Sequence, residues 1–582
     1  MSSRQAEASG GRVDREEADR KIRGRSADAG RPRIAVSVAS IATMLVGAVF
    51  ASSARAVEAT DACRAPAAAD SVAPASSADA RAAANVARRA VLARDADASA
   101  RIDAAAALVE ALPTTASDRL VLELHVLRTR MDRMAMDPVE TNALVGAHAT
   151  LSSGLDRIAA TAKLRGENGS RAWALVYGAE LALARGDREG ATNRLDAALQ
   201  VPEDDASWEA HVQAELLREQ NLVAGDDEEE AIRGLLRARQ TLERVRLRID
   251  DARFLARARP VHERLASRLL ASAAARNPSS ASVAGDESVL REVVELLEAL
   301  KLAELRAYFG DACLADLETT TPERLPGTFL LYPVLLEDRV ELIVGHDGRL
   351  ARVASPISPE ELVSETRKLR GALQDPTSPR YRASATRLYD VLIRPLEAER
   401  AAAGEGATTL VVVPSGVLRE IPFAALFDVR SDRYLVEQVA LATLPSLHIL
   451  PPEPLDGRRT RLLAAGLSAA VEDFPPLPFA ARELEAATDR FPGARRLDAA
   501  FSKAGFAAAL DAEPFDVVHI ASHGRFDARA SESFLLAYDG RLALAELGLL
   551  IGRTRHRTGR PLELLVLSAC ETAIGDERAV LG

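Results

Sequence analysis

Aromatic residues make up only 4% of this 582-residue chain, and cysteine occurs three times. With so few rings, the cores must be built from aliphatic side chains and abundant alanine, which predicts helices that pack closely through small residues. Three cysteines exclude a chain in which every thiol is paired, so at least one is free. No close cluster of cysteine and histidine has zinc-ligand spacing, and neither a metal nor another cofactor is expected. The strand-bearing half lacks the G-x-S-x-G elbow of serine hydrolases. Basic charge is not in excess either. Lys and Arg total 74 against 85 Asp and Glu, a net charge of -11, which excludes a general nucleic-acid binder, since that would need a basic face to displace counterions.

Long apolar runs are equally scarce. The one strong example is IAVSVASIATMLVGAVF, residues 34–50, preceded by Arg25, Arg31 and Arg33 and followed by the A-x-A pattern Ala54-Arg55-Ala56. This pattern reads as an export signal cleaved after Ala56, or as a membrane anchor through residues 34–50, since 17 residues only approach a membrane span. Residues 1–56 are therefore assigned to a basic leader with signal peptide or anchor, and the rest to the periplasm or its membrane face. In an oxidising compartment Cys63 and Cys313 become candidates for a disulfide.

Residues 57–320 are rich in Ala, Leu, Arg and Glu at helical spacing. Ala184-Arg185-Gly186-Asp187 precedes Ala191, Leu195 and Ala198, and Ala224-Gly225-Asp226 precedes Ala231, Leu235 and Ala238. A recurring Gly-Asp turn before such a stripe describes helical hairpins, and degenerate tetratricopeptide-like repeats stacked as a solenoid are expected. The acidic run 226–230 reads as the start of a solvated helix, where carboxylates suit the positive end of the dipole. From about 321 the texture changes to short strands, at 328–336, 339–344, 350–353, 409–414, 461–466, 515–521, 533–537 and 563–568, with Glu337-Asp338 and Asp347-Gly348 as turns. Helical patterns between several of them predict a covered, mostly parallel sheet.

Two strand ends carry chemistry. PLELLVLSACETA (561–573) places Cys570 just past an aliphatic strand, a position that suits either a small buried hydrophobe or a nucleophile. DVVHIASHGRFD (516–527) places His523 and Gly524 just past another, and ligands bind at the carboxyl ends of strands in open α/β sheets. An imidazole there can take the proton of a thiol, and the thiolate is the form that attacks a carbonyl. The N–H of Gly524 and that of Cys570 are candidate oxyanion donors. His519, inside the strand, reads as a core or supporting residue. Asp527, Glu532, Asp539 and Glu571 read as surface charges rather than a pocket for a basic side chain. The spacing from His523 to Cys570 is near the roughly 50 residues found in caspases.

HIASHG, LSACETA and LVVVPSGVLREIPFAALFD (410–428) together resemble the CHAT domain, a caspase-like peptidase domain associated with tetratricopeptide repeats, over about 325–582. LEALKLAELRAYFGDACL (297–314) is similar to the helix that joins repeats to this domain. The resemblance implies a multidomain chain, a helical solenoid followed by a caspase-like α/β domain at 321–582, acting as a cysteine endopeptidase with the dyad His523 and Cys570. It implies a protein or peptide substrate and a protein partner on the helical repeats. It also implies that PSGVLREIPFAAL belongs to a structural half of the domain, so Ser415 is not a nucleophile. Relatives continue past the cysteine with a helix and a further strand, so the domain is expected to be incomplete at Gly582. The alternative is an inactive scaffold whose helical surface does the work.

Overall fold

The structure, a computed structural model, describes residues 76–136, 141–225, 227–276, 287–309, 327–375, 379–404, 408–448, 460–526, 532–558 and 562–569. The stretch 34–50, its Ala54–Ala56 flank, Cys63, Cys313 and Cys570 lie outside them. Among the described residues no helix is long and apolar enough to cross a membrane.

The alanine-rich half forms α1 (Ser77–Leu92), α2 (Ala98–Glu110), α3 (Arg119–Met136), α4 (Thr141–Arg165), α5 (Asn168–Ala184), α6 (Arg188–Leu199), α7 (Trp208–Val223), α8 (Glu228–Val245), α9 (Asp251–Arg276) and α10 (Glu287–Phe309). Each packs on the next, and several also on the next but one, so helices consecutive in sequence are neighbours in space. Both turns lead into capped helices; in the second the cap is Asp227, one residue beyond the Gly225-Asp226 pair, of which Asp226 lies outside the described residues. The Asp187 carboxylate accepts from Gly190 N at 2.9 Å; in the second turn Asp227 accepts from Glu230 N at 3.2 Å. Such a cap is worth about 1 kcal/mol. Ala191, Leu195, Ala198, Ala231, Leu235 and Ala238 are all buried, and Glu228, Glu229 and Glu230 occupy the first turn of α8.

Helix α10 closes two cores at once. Leu296, Leu300 and Ala303 pack with Trp208, Leu235 and Leu265 of the helical stack. Leu290, Val293 and Val294 pack with Leu330, Tyr332 and Val411 of the first sheet. That sheet has the order β3-β2-β1-β4-β7, with β1 (Thr328–Leu335), β2 (Val340–His346), β3 (Arg349–Ser355), β4 (Thr409–Val412) and β7 (Ala440–Thr443). Strands β1, β2 and β3 are antiparallel, whereas β4 is parallel to both β1 and β7. The expectation of a mostly parallel sheet is corrected here: this sheet is mixed. The tight turns force it, because strands joined by two residues must run antiparallel. Asp347 at φ 46° and Gly348 at φ 79° supply the two left-handed residues of a type I′ hairpin. Helices α11 (Pro359–Leu373), α12 (Tyr381–Leu392) and α13 (Glu397–Ala403) intervene before β4 and permit the parallel return. A short hairpin of β5 (Phe427–Asp428) and β6 (Arg433–Tyr434) precedes β7.

Buried polar groups tie α10 to this sheet. Val413 N donates to Leu331 O, so the parallel ladder would next take an N–H from residue 333 to the Val413 carbonyl. Residue 333 is proline and has none. Lys301 Nζ donates to that carbonyl instead, at 2.9 Å. Beside it, Glu298 accepts from the Tyr332 hydroxyl at 2.8 Å and from the Ser446 hydroxyl and Leu447 N, both at 2.6 Å. Glu304 accepts from Arg419 at 2.7 Å and also pairs with Arg259 of α9.

The second sheet is parallel throughout, in the order β14-β10-β8-β9, built from β8 (Leu462–Gly466), β9 (Gly493–Leu497), β10 (Val517–Ala521) and β14 (Leu564–Ser568). Helices α14 (Ala480–Thr488) and α15 (Lys503–Ala512) connect β8 to β9 and β9 to β10. A small antiparallel sheet of β11 (Gly524–Arg525), β12 (Phe534–Ala537) and β13 (Gly540–Ala543) follows β10, and α16 (Leu544–Thr558) leads to β14.

Candidate active site

Strand β10 alternates its burial. Val518 and Ile520 enter the core formed with Leu463, Phe506 and Leu535, while Val517 and Ala521 pack on the other face with Leu462 and Leu484. His519 shares that second face, and its Nε2 lies 2.8 Å from Glu483 Oε1 of α14. It is a supporting pair between helix and sheet. Along the sheet, Ala521 stands opposite Ser568 of β14 on one side and Gly466 of β8 on the other. The strands therefore end at one level, and the residues after β10 and β14 leave side by side. Ser522 N extends the ladder by one step to Ser568 O at 3.1 Å.

His523 is buried and gripped from several sides. Its carbonyl accepts from Leu536 N at 2.8 Å, and the preceding Ser522 hydroxyl donates to Leu536 O at 2.5 Å. Its Nε2 lies 2.7 Å from the Pro475 carbonyl. A carbonyl oxygen can only accept, so Nε2 carries the proton in this bond, and in the neutral ring the lone pair resides on Nδ1. The Phe474 ring lies against the imidazole with centroids 5.1 Å apart, and its other contact is Phe534 at 6.3 Å. Nothing in the local sequence links Pro475 and Phe474 to His523. The only signal was the proline-rich text FPPLPF (474–479) after the carboxyl end of β8.

Gly524 stands opposite Leu535. With Leu536 N already bonded to His523 O, this is a non-hydrogen-bonded pair of the antiparallel ladder, so the ladder with β12 does not use the Gly524 N–H. A Cβ at this position would sit 3.0 Å from Leu535 Cδ2 and 3.1 Å from Ala569 Cβ. Gly524 thus touches the residue immediately before Cys570. Gly524→Ala is expected to destabilise the chain by about 1–3 kcal/mol through overpacking, read as a lower urea midpoint. An unchanged midpoint would show that Leu535 and Ala569 yield freely.

Of the sequence-derived site residues, His523 and Gly524 are placed by the structure, while Cys570 lies outside the described residues, as do Asp527 and Glu571. Glu532 is exposed. Asp539 accepts from Lys503 N at 2.8 Å, which occupies it at the start of α15. Among the described residues no group of three or more His, Cys, Asp or Glu side chains is placed to hold a metal ion.

No curated protein matches the chain. Residues 382–582 match the family model described as CHAT domain, a span that runs from α12 to the end of the chain and includes β8, β10 with His523 just past it, and β14. Over that span the chain is similar to the CHAT domain family.

Proposed function

We propose that the chain is a cysteine endopeptidase in which His523 and Cys570 form the dyad. In this reading residues 321–582 are the peptidase domain, 57–320 a helical region that takes a protein partner or regulator, and 1–56 an export leader or anchor to the periplasmic side. The observation that supports it is the imidazole just past β10, its Nε2 committed to the Pro475 carbonyl, beside the end of β14, the parallel neighbour strand that precedes Cys570 in sequence; the reading gives Nδ1 to the thiol. In that arrangement Nδ1 takes the Cys570 proton and the thiolate attacks a peptide carbonyl carbon. The Gly524 and Cys570 N–H groups receive the oxyanion. The imidazolium then protonates the leaving amine, and the ring next removes a proton from the water that cleaves the thioester.

An activity-based thiol probe tests the reading. It should label the wild-type chain and leave Cys570→Ala unlabelled, with peptide cleavage following the same pattern. Equal labelling of both, with no Cys570-dependent cleavage across a broad peptide library, would favour the scaffold alternative.

A further inference from the structure

We propose that Asp498 is a positioning residue, which sets the imidazole of His523 by anchoring the loop that carries Pro475. The proposal rests on the peptidase reading for its catalytic consequence, though not for its structural one. Asp498 follows β9 directly and adopts φ 50°, a left-handed conformation that aspartate and asparagine tolerate better than most residues. From there its Oδ1 accepts from Ser468 N at 2.6 Å and Ala469 N at 2.9 Å, and its Oδ2 from the Ser468 hydroxyl at 2.7 Å. Burial alone would raise this carboxyl, but the Ala469 amide and the Ser468 hydroxyl and amide bring it below the ordinary value.

Ser468 is the base of the loop leaving β8. The same residue's carbonyl accepts from Leu477 N at 3.1 Å, which closes the loop two residues past Pro475. Inside it, Phe474 N donates to Val471 O at 3.0 Å, and Val471 and Phe474 form a β-bridge. The tip therefore has little freedom once its base is fixed. It presents the Pro475 carbonyl and the Phe474 ring to His523. The path is short: Asp498 holds Ser468, Ser468 holds Leu477, and the closed loop holds the carbonyl that selects the imidazole's tautomer. Without the anchor, the carbonyl is no longer held to the ring, and both neutral tautomers become accessible.

The test uses the full chain labelled with ¹⁵N-histidine, with the His523 signals assigned by their loss in His523→Gln. In the wild type, at a pH where the ring is neutral, Nε2 should give the protonated-nitrogen shift and Nδ1 the lone-pair shift. Asp498→Ala should move both toward the average of the two tautomers. Its kcat should fall on the order of a hundredfold, as a displacement of about 1 Å of a catalytic group does, with KM little changed. Asp498→Asn should restore both readouts, because its Oδ1 still accepts the two amides and its Nδ2 can donate to the Ser468 hydroxyl. Ser468→Ala, which removes only the hydroxyl bond, supplies a milder variant should Asp498→Ala fail to fold, and it should shift the signals partway. A single Nε2-protonated tautomer retained in Asp498→Ala, or in Ser468→Ala where that is the folded variant, would overturn the proposal. If the wild type shows no Cys570-dependent cleavage, the peptidase reading fails while the tautomer comparison still decides the role of Asp498.

Discussion

Replacing His523 by alanine is expected to lower Cys570-dependent peptide cleavage by roughly a hundred- to ten-thousand-fold in kcat/KM, the usual contribution of a positioned acid–base group. The ring is the proton acceptor for the thiol and the donor to the leaving amine, so its removal affects both halves of the reaction. Cys570→Ala should reach the same floor, and the double variant should be no worse than either single one, because groups that act as a unit are not additive. Purified wild type, both single variants and the double variant, assayed on one peptide library, provide the measurement. Retention of activity within a few-fold in His523→Ala would remove the imidazole from the mechanism. Circular dichroism melts of the same samples separate lost chemistry from lost fold.

Glu298→Ala is expected to cost about 3–5 kcal/mol of stability, the range for removing one partner of a buried ion pair. Four groups converge on this carboxylate: the Tyr332 and Ser446 hydroxyls, Leu447 N, and the Lys301 ammonium at 3.6 Å. All lose an acceptor together, in a place water does not reach. Urea denaturation of wild type and variant gives the loss, and a cost under about 1 kcal/mol would show that the helix and sheet relax around the gap. The network also sets a pH dependence. Burial pushes Lys301 down to about 7 from an unfolded value near 10.4, so between these limits the unfolded chain binds more protons than the native one. Stability from this site is therefore lowest below pH 7, where both states are protonated, and rises with pH through about 7 to 10. Lys301→Met removes the titration. The difference between wild type and Lys301→Met should shift in favour of the wild type from pH 7 to pH 9; a constant difference would contradict the assignment.

Much of the helical half was legible because its signals are local. A Gly-Asp turn and a stripe of Ala191, Leu195 and Ala198 describe a capped helix and its buried face within a dozen residues. Asp347-Gly348 likewise carried its own hairpin, since the left-handed conformations that turn requires select those two residue types. The strand of residues 563–568 and that of 515–521 were visible as aliphatic runs, and so was the chemical character of the residues just past each strand.

The arrangement of the sheets was not legible. Strand β9, with the text GARRL, is an edge strand with Arg495 exposed and Arg496 half-buried, and it lacks an apolar run. Without it the second sheet cannot be delimited, and the strands appeared to belong to one mostly parallel sheet rather than to a mixed sheet and a parallel one. The buried ion network was hidden for a different reason: Lys301 on a helix looks like a solvated charge until Pro333, in a distant strand, leaves the Val413 carbonyl without its ladder donor.

The sequence by itself determined where several helices begin, which turns are hairpins, and that a histidine and a cysteine each follow closely on an aliphatic strand. These depend on backbone preferences and on side-chain periods that act over a few residues. Only the tertiary structure decided that the strands before His523 and Cys570 are neighbours in register, that the Pro475 carbonyl holds Nε2, and that Asp498 holds the loop bearing that carbonyl. Those contacts join segments tens of residues apart, and their geometry comes from how β8, β9, β10 and β14 pair, which no local pattern specifies.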